Sequence, residues 1–227
     1  MTSKTKKTTF GNKIVFQIFF FLIVVSAIIF GWSYFNNNLH VVMKAPDFKL
    51  TDQNNKTITN KDMLGKVYVV EFFYARCPTI CPVMNSNLKF VDAAINNPDF
   101  GIISISIDPT NDTPAFLNEH AKKLGVKNPN WHFLTGDRDY IGKVANDFDI
   151  YVGKKEDQAE SLNHSGMIAL VDKEGNVRCR LGKNGVPILY YSGLNYEDEA
   201  GTKPKLDGKF QPDRKILIED IKKLLSE

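Results

Sequence analysis

The stretch that decides the fold is Val67-Tyr68-Val69-Val70-Glu71-Phe72-Phe73-Tyr74, followed after Ala75-Arg76 by Cys77-Pro78-Thr79-Ile80-Cys81-Pro82. The first eight residues form a nearly continuous apolar run, which predicts a central strand covered on both faces. Apolar residues then recur at helical spacing from Val83 to Ala94. The sequence therefore predicts a buried strand that ends in a turn with two cysteines and passes directly into a helix.

The elements around this segment complete a recognisable order. The sequence predicts a small hairpin over residues 45–59, a strand over 100–107, a helix from Asp112 to Leu124, a strand over 131–134, a helix over 136–148, a hairpin over 167–181 and a closing amphipathic helix capped by Asp213. Residues 153–163 and 190–211 are expected to be irregular. This order predicts an α/β thioredoxin-like (peroxiredoxin-like) sandwich with one inserted strand and helix.

The start of the chain contains a long apolar run. Residues 14–35 carry no charge over 22 positions, which is about 33 Å as a helix and close to bilayer thickness. This predicts four parts: a cytoplasmic N-terminus (1–13), one transmembrane anchor (14–35), a tether (36–44) and a thioredoxin-like domain (45–227). A cleaved signal peptide is the alternative, but the run is long for one and lacks an Ala-x-Ala site.

Charge sets the expected topology and the class of partner. Four lysines precede the apolar run with no acid among them, whereas Lys44 is the only basic residue soon after it. The positive-inside rule then keeps the N-terminus in the cytoplasm, and a bacterial inner-membrane protein with a periplasmic domain is the simplest interpretation. The net charge of +3 is small and mixed along the chain, so no nucleic acid is expected. No cysteine lies near the apolar run, so a lipoprotein anchor is not expected.

Cys77 and Cys81 are the candidate residues for redox chemistry or metal binding. On an ideal helix their β-carbons would be about 5–6 Å apart, beyond the roughly 3.5–4.5 Å of a relaxed disulfide. Because a proline follows each cysteine, helical angles are disfavoured there and a stiff turn is expected. Such a turn can serve a disulfide or a shared metal. The helix N-terminus and Arg76 should favour the thiolate, which suits both roles. A purely structural disulfide across so short a loop would stabilise little.

A site with two thiolates needs a third donor if it is to hold a soft metal, and histidine is the natural type. The chain offers His40 on the tether, His120 at the surface of a helix, His132 in an apolar strand, and His164 between the polar loop and the strand that follows it. In a thioredoxin-like sheet that loop approaches the cysteine turn. Spacing alone therefore favours His164 but leaves an exposed loop histidine as the alternative.

Taken together, these motifs resemble the Sco/SenC family. The resemblance is carried by Cys-Pro-Thr-Ile-Cys-Pro at 77–82, Ile-Asp-Pro at 107–109 with Asp-Thr-Pro at 112–114, Leu-Thr-Gly at 134–136 and His164-Ser165 before a strand. It covers roughly residues 45–185. The resemblance implies a membrane-anchored protein that binds copper, as Cu(I) or Cu(II), through Cys77, Cys81 and His164. It also implies a role as a copper metallochaperone for the binuclear copper centre of cytochrome c oxidase.

The same resemblance implies two kinds of partner: the copper-bearing oxidase subunit, and a copper donor or a thiol reductant. Two positions depart from the pattern. Asn163 stands where the family usually has Asp, which could weaken the orientation of the imidazole, and Tyr74-Ala75-Arg76 replaces the small hydroxyl residues often found before the first cysteine. No role is assigned to residues 185–212. Cys179 is predicted to be a buried structural thiol.

Two alternatives belong to other classes. In a thiol–disulfide oxidoreductase, Cys77 and Cys81 would be a catalytic redox pair that keeps the cysteines of the oxidase copper site reduced, and no histidine would be needed. A peroxidase of the peroxiredoxin type would require Thr at position 74 and Pro at position 70, where this chain has Tyr74 and Val70. The sequence therefore disfavours the peroxidase and leaves copper delivery and thiol reduction open.

Overall fold

The computed structural model describes residues 9–37, 39–78, 80–150, 152–154, 162–164, 166–181, 187–194 and 213–227. The chain divides into two compact units, Met1–Asn38 and Leu39–Glu227. Each unit is described separately below.

The described part of the first unit is one helix, α1 (Thr9–Asn37). Its large apolar side chains between Val15 and Ile28, apart from Val25, are exposed. Within the part of the chain that the structure describes, no helix has both the length and the apolar character needed to cross a membrane. The transmembrane span expected at residues 14–35 is not confirmed and stays a prediction.

The second unit is built from strands and four α-helices over its described residues. The strands are β1 (His40–Lys44), β2 (Lys49–Asp52), β3 (Thr57–Thr59), β4 (Val67–Phe73), β5 (Phe100–Ser106), β6 (Trp131–Thr135), β7 (Val152–Lys154), β8 (Leu162–His164), β9 (Met167–Val171), β10 (Asn176–Leu181), β11 (Pro187–Ile188) and β12 (Tyr191–Ser192). The helices are α2 (Ile80–Ile95), α3 (Pro114–Leu124), α4 (Arg138–Asp147) and α5 (Asp213–Ser226), with a 3₁₀ turn at Asn60–Met63.

The main sheet has the strand order β1-β10-β9-β4-β5-β6-β2-β3, with β11 against β10 and β12 against β9. Strands β4, β5 and β6 are parallel, and β9 lies antiparallel to β4. All seven residues of β4 and of β5 are buried, which confirms the central strands inferred from their lack of alternation. A separate pair, β7–β8, sets Val152 opposite His164.

Helices cover both faces of the sheet, and each face has its own apolar cluster. One cluster joins the odd-numbered residues of β4 with side chains of α2, α3 and α5, and it contains both Cys77 and Cys81. The other joins the even-numbered residues of β4 with α4 and the β2–β3 hairpin. The alternation of side chains along β4 therefore decides which residues share a face with the cysteines.

Three segments differ from the prediction. His40–Lys44, assigned to the tether, forms β1 and pairs antiparallel with β10 from His40 opposite Cys179 to Lys44 opposite Asn176. Its backbone groups gain ladder partners along the edge of β10, which a solvated tether would not have. Residues 153–163, expected to be a loop, contribute to β7 and β8 where they are described. Residues 190–211 were also expected to be irregular, but Tyr191–Ser192 form β12 and pair with β9; residues 195–211 lie outside the described part.

Candidate metal centre

The two thiols of the cysteine turn lie together at the end of the central strand. Cys77 follows β4 after a short turn in which its N–H donates to the Tyr74 carbonyl at 3.1 Å. Cys81 is the second residue of α2. Their residues are 7% and 2% exposed, both sulfurs are reduced, and the two side chains are hydrogen-bonded to each other. The turn therefore holds a paired, water-shielded dithiol.

A buried carboxylate fixes the backbone that leads into this turn. Asp112 is fully buried and its Oδ2 accepts a hydrogen bond from the Ala75 N–H at 2.9 Å and one from the hydroxyl of Ser106. Sequence reasoning took Asp112 as part of the start of α3. The cap is in fact Thr113, whose side chain accepts from the Phe116 N–H. Asp112 instead ties the cysteine turn to the end of β5.

The electrostatics of Cys81 differ from the expectation of a favoured thiolate. The hydrogen bond from Cys77, followed by burial, raises the pKa of Cys81, against a smaller lowering by a hydrogen bond from the Tyr74 backbone. Arg76, expected to support the thiolate, has its guanidinium 4.8 Å from the centre of the Phe116 ring. Cys81 is therefore protonated at neutral pH, and a metal that binds its sulfur would have to displace that proton.

Tyr74 covers the thiols from the strand end. Burial raises the pKa of Tyr74 to about 12, and the hydrogen bond between its side chain and Cys77 contributes to the rise. Sequence reasoning noted Tyr74 only as a departure from the family pattern. Its contact with Cys77 shows that the larger side chain at this position is part of the site.

The structure places the four histidines in four different settings. His164 lies in β8, three residues before β9, which begins at the end of the sheet where β4 ends; its imidazole lies outside the described part. His120, expected at the surface, is half-buried, with its ring 5.8 Å from Phe73 and 5.6 Å from Phe133. His132, expected in an apolar strand, contacts Asp52 at 3.2 Å. His40 is exposed.

Among the described side chains, no group of three His, Cys, Asp or Glu residues is arranged to hold a metal. The described thiols therefore supply two soft donors, and any third donor must come from outside that set of side chains. Cysteine sulfurs are soft donors of the kind that both copper and zinc accept.

A fully buried acid stands behind the cysteines, and sequence reasoning missed its role. Glu71 lies in β4 with no exposed surface, and its Oε1 accepts a 2.7 Å hydrogen bond from the Ser104 hydroxyl. The Trp131 indole N–H donates to the same Ser104 oxygen at 3.1 Å. Burial raises the pKa of Glu71 to about 7, against a lowering by the Ser104 bond. The sequence did contain a signal for it, because Glu71 is a single acidic residue within an otherwise apolar strand.

The sequence of the sheet-containing unit matches a known protein family. The family model SCO1/SenC matches residues 39–193. The chain belongs to the SCO1/SenC family. A SCO1 protein homolog of Bacillus subtilis is 30% identical over 136 residues, which is 57% of this chain and 69% of that protein. A SCO2-like protein of Rickettsia felis is 30% identical over 135 residues, and the match spans 64% of its length.

Solved structures of the family share the fold. A SCO1/SenC family lipoprotein from Bacillus anthracis gives a TM-score of 0.66 at 26% identity, over 83% of this chain and 98% of that one. BsSco, a member of the Sco family of cytochrome c oxidase assembly proteins in which a disulfide switch was identified, gives 0.62 at 24% identity, over 83% and 96%. Bradyrhizobium japonicum ScoI with copper bound gives 0.56 at 24% identity, over 81% and 99%. The mixed α/β, thioredoxin-like fold is therefore confirmed.

The third cysteine lies apart from the candidate site. Cys179 is on β10, has no exposed surface, and burial raises its pKa. The prediction that it is buried is confirmed. Its place in the packed sheet of this SCO1/SenC protein indicates a core side chain.

Proposed function

We propose that this SCO1/SenC protein is a copper metallochaperone that helps to assemble the binuclear copper centre of cytochrome c oxidase. The observation that carries the proposal is the reduced, mutually hydrogen-bonded pair Cys77 and Cys81 at the end of β4. Two relatives of this fold add to it: one structure has copper bound, and another protein belongs to a family of oxidase assembly proteins. Copper is the cargo in this proposal and is passed on to the copper-bearing oxidase subunit.

The ligand set that we propose is Cys77, Cys81 and His164. Two thiolates and one imidazole form a soft site, and three ligands leave a coordination position open for transfer. The support for His164 is the path of the backbone. Ile168 pairs with Glu71, six residues before Cys77, and four residues of extended chain from Ile168 to His164 reach at most about 14 Å. That limit keeps His164 near the end of the sheet at which β4 leads into the cysteine turn.

We also propose that residues 14–35 anchor the chain in the bacterial inner membrane, with residues 1–13 in the cytoplasm and the domain in the periplasm. Two observations support this topology. The segment is helical throughout, and its lysines precede the uncharged run, as the positive-inside rule requires. A copper donor or a thiol reductant is then expected in the periplasm.

A copper titration tests the ligand set. The reduced full-length chain should bind one Cu(I), and alanine at position 77, 81 or 164 should weaken binding by at least about 100-fold, because even the loss of an outer-shell partner costs 10–100-fold. His40→Ala is the matched control, since His40 is an exposed histidine on β1, and it should bind copper as the wild type does.

The second candidate function is thiol–disulfide exchange, and the contact between the two thiols favours it. Exchange needs the paired sulfurs but no imidazole. If His164→Ala keeps both the copper affinity and the reduction of a peptide disulfide, the copper proposal fails and the reductase remains. If His164→Ala loses copper while peptide reduction is unchanged, the metallochaperone stands.

A further inference from the structure

A short segment after β11 connects the sheet to helix α2, and sequence reasoning assigned it no role. This segment is residues 191–194, which we call the strap, and it begins with β12. The first two residues of the strap pair antiparallel with Ile168 and Met167 of β9. The strap therefore lies beside the start of β9, the strand that follows His164 in the chain.

One backbone hydrogen bond joins the strap to the chain next to His164. The Gly193 N–H donates to the carbonyl of Gly166 at 2.9 Å. Gly166 is two residues after His164, so their Cα atoms are at most about 7 Å apart. Gly166 has a φ of 65°, and a β-carbon built on it would lie 2.8 Å from Leu194 Cδ1. The strap is thus packed closely against Gly166 by both Gly193 and Leu194.

Helix α2, which contains Cys81, holds the strap from the other direction. Asn87 Nδ2 donates to the Gly193 carbonyl at 2.7 Å, and a β-carbon built on Gly193 would lie 3.0 Å from Met84 Cγ. Met84 and Asn87 are three and six residues after Cys81, which is about 4.5 and 9 Å along the helix axis. Gly193 therefore joins the part of α2 that follows Cys81 to the residue two positions after His164.

The strap is also fixed at its start and within itself. Tyr191 is buried, and its hydroxyl donates to fully buried Asp220 of α5 at 2.7 Å. The Leu194 N–H donates to the Ser192 hydroxyl oxygen at 3.2 Å. A segment with these bonds is a stiff connector, so a displacement of the strap on α2 is passed on to β9.

The burial of Asn87 indicates what this residue contributes. Asn87 is 4% exposed, and its Oδ1 has no hydrogen-bond partner among the described residues. A buried amide with an unpaired oxygen costs stability, and an apolar side chain of similar size would avoid that cost. What the amide supplies is the N–H group that holds the strap. Attachment of the strap, rather than packing, therefore explains the residue type at position 87.

We propose that Asn87 and the strap position His164 relative to Cys81. Asn87 holds Gly193, which in turn holds Gly166. The two-residue connection from Gly166 to His164 is too short to move far while these bonds persist. Asn87 is thus a positioning residue that acts through His164 and is not itself a proposed ligand. This inference rests on the proposed copper-binding function, because it concerns how two of the proposed ligands are held in one site.

A double-mutant cycle tests whether Asn87 acts through His164. Cu(I) affinity is measured for the reduced full-length wild type, Asn87→Ala, His164→Ala and the double variant. Asn87→Ala should weaken binding by about 10-fold or more, as the loss of a group that orients a metal ligand does. In the His164→Ala background the same substitution should change affinity by less than about twofold, because the ligand that it positions is absent. Wild-type affinity for Asn87→Ala, or an equal loss in both backgrounds, overturns the proposal.

Asn85→Ala is the matched control for this cycle. Asn85 is on the same helix and is also 4% exposed, but its amide contacts the His120 ring of α3 at 3.4 Å. Any effect of Asn85→Ala on copper affinity should therefore be the same factor with and without His164. If the effect of this control also disappears in the His164→Ala background, any disturbance of α2 gives the same result and the assignment to the strap is overturned.

A second variant displaces the strap without removing a hydrogen-bonding group. Gly193 does not have a positive φ, so its backbone accepts alanine, but the added methyl would lie 3.0 Å from Met84 Cγ and 3.3 Å from the Gly166 carbonyl oxygen. Gly193→Ala should weaken Cu(I) binding by about threefold or more when His164 is present and not in the His164→Ala chain. Gly142→Ala, whose methyl meets nothing within 4 Å, should bind copper as the wild type does. Equal effects of Gly193→Ala in the two backgrounds overturn the proposal.

Amide hydrogen exchange in the metal-free chain separates this proposal from the copper function. In Asn87→Ala the Gly193 N–H should exchange faster by a larger factor than the Ile103 N–H of buried strand β5, because the strap opens locally. If His164→Ala binds copper as tightly as the wild type but Gly193 shows this local opening, the ligand set fails and the attachment by the strap stands. If His164→Ala loses copper and the two amides change by the same factor, the strap fails and the ligand set stands.

Discussion

Single residues behind the cysteines, rather than the cysteines alone, determine what the turn can do. Asp112 holds the Ala75 N–H and the Ser106 hydroxyl, and its bond to Ala75 joins residues 37 positions apart. Local sequence signals could not show this, because a capping motif next to Thr113 and Pro114 already explained an acid there. The cysteine motif is local and was predicted from spacing; the residues that position it are distant and were not.

Replacing Asp112 should loosen the cysteine turn. Asp112→Ala leaves the half-buried Ala75 N–H and the buried Ser106 hydroxyl without their acceptor, and each such loss costs about 1–3 kcal/mol. The expected decrease in the free energy of unfolding is therefore about 2–6 kcal/mol by urea denaturation. Asp99→Ala removes an exposed acid at the other end of the sheet and should change stability by less than about 0.5 kcal/mol. Similar values for the two variants would contradict the anchoring role.

Glu71 should make the stability of the reduced protein depend on pH. Because burial raises its pKa to about 7, from about 4.3 in the unfolded chain, the folded state binds more protons than the unfolded state between these values. The Glu71 contribution to the free energy of unfolding must then fall as pH rises through this range and level off above it, by roughly 3–4 kcal/mol in all. The Glu71→Gln variant has no ionisable group at this position, so its unfolding free energy lacks this pH-dependent contribution.

The measurement compares wild type and Glu71→Gln by urea unfolding at pH 5 and pH 8 with a reductant present. The difference in unfolding free energy should shift in favour of Glu71→Gln by a few kcal/mol at the higher pH. A difference that is the same at both values would mean that Glu71 does not titrate in this range.

At the scale of elements, the order of helices and strands along the chain was predictable from the sequence. The pairing of the strands at the edges of the sheet was not. The central strands β4 and β5 follow from uninterrupted apolar runs, and α3 follows from Thr113, Pro114 and Gly125. The edge strand β1 and the pair β7–β8 are short and mixed in polarity, so nothing local distinguishes them from loops. Their structure depends on partners far away in sequence, such as β10 for β1.

Arg180 on β10 contacts two neighbouring acids of helix α5, and these two acids should behave differently. Arg180 on β10 contacts fully buried Asp220 and, at 3.0 Å, half-exposed Glu219. Asp220 also accepts from the Tyr191 hydroxyl at 2.7 Å. Asp220→Ala should cost about 3–5 kcal/mol, because it removes one partner of a buried pair. Glu219→Ala should cost less than about 1 kcal/mol, because its charge is screened by water.

Chemical denaturation of the two alanine variants checks this contrast. The acids are adjacent on the same helix and contact the same arginine, so a difference in unfolding free energy reports burial rather than charge number. If Glu219→Ala is as destabilising as Asp220→Ala, the attachment of α5 is not centred on the buried pair.

At the scale of the whole molecule, the compact unit that contains the sheet spans Leu39–Glu227. Leu39 is buried, and its carbonyl accepts two hydrogen bonds from Arg178, at 2.9 and 3.3 Å. Arg178 also contacts Asp172 and Glu227, so the first residue of the unit and its last residue meet at one arginine. Composition alone could not reveal this contact, because it joins the two ends of the unit, which are 188 positions apart in sequence.

Two fragments test where the domain starts. A fragment of residues 39–227 should be more stable than a fragment of residues 45–227 by about 3 kcal/mol or more. The shorter fragment loses strand β1 and both hydrogen bonds to charged Arg178, each worth about 1.5–3 kcal/mol. Urea unfolding of both fragments gives the difference. Equal stabilities would support the predicted boundary at residue 45 instead.

The bonds from Trp131 through Ser104 to Glu71 connect an indole to the carboxyl behind the thiols. Trp32 is the only other tryptophan in the sequence. In a Trp32→Phe chain, the remaining fluorophore therefore sits two hydrogen bonds from a carboxyl whose charge we expect to change near pH 7. The emission spectrum of this protein should then follow the ionisation of Glu71 directly, without an added dye.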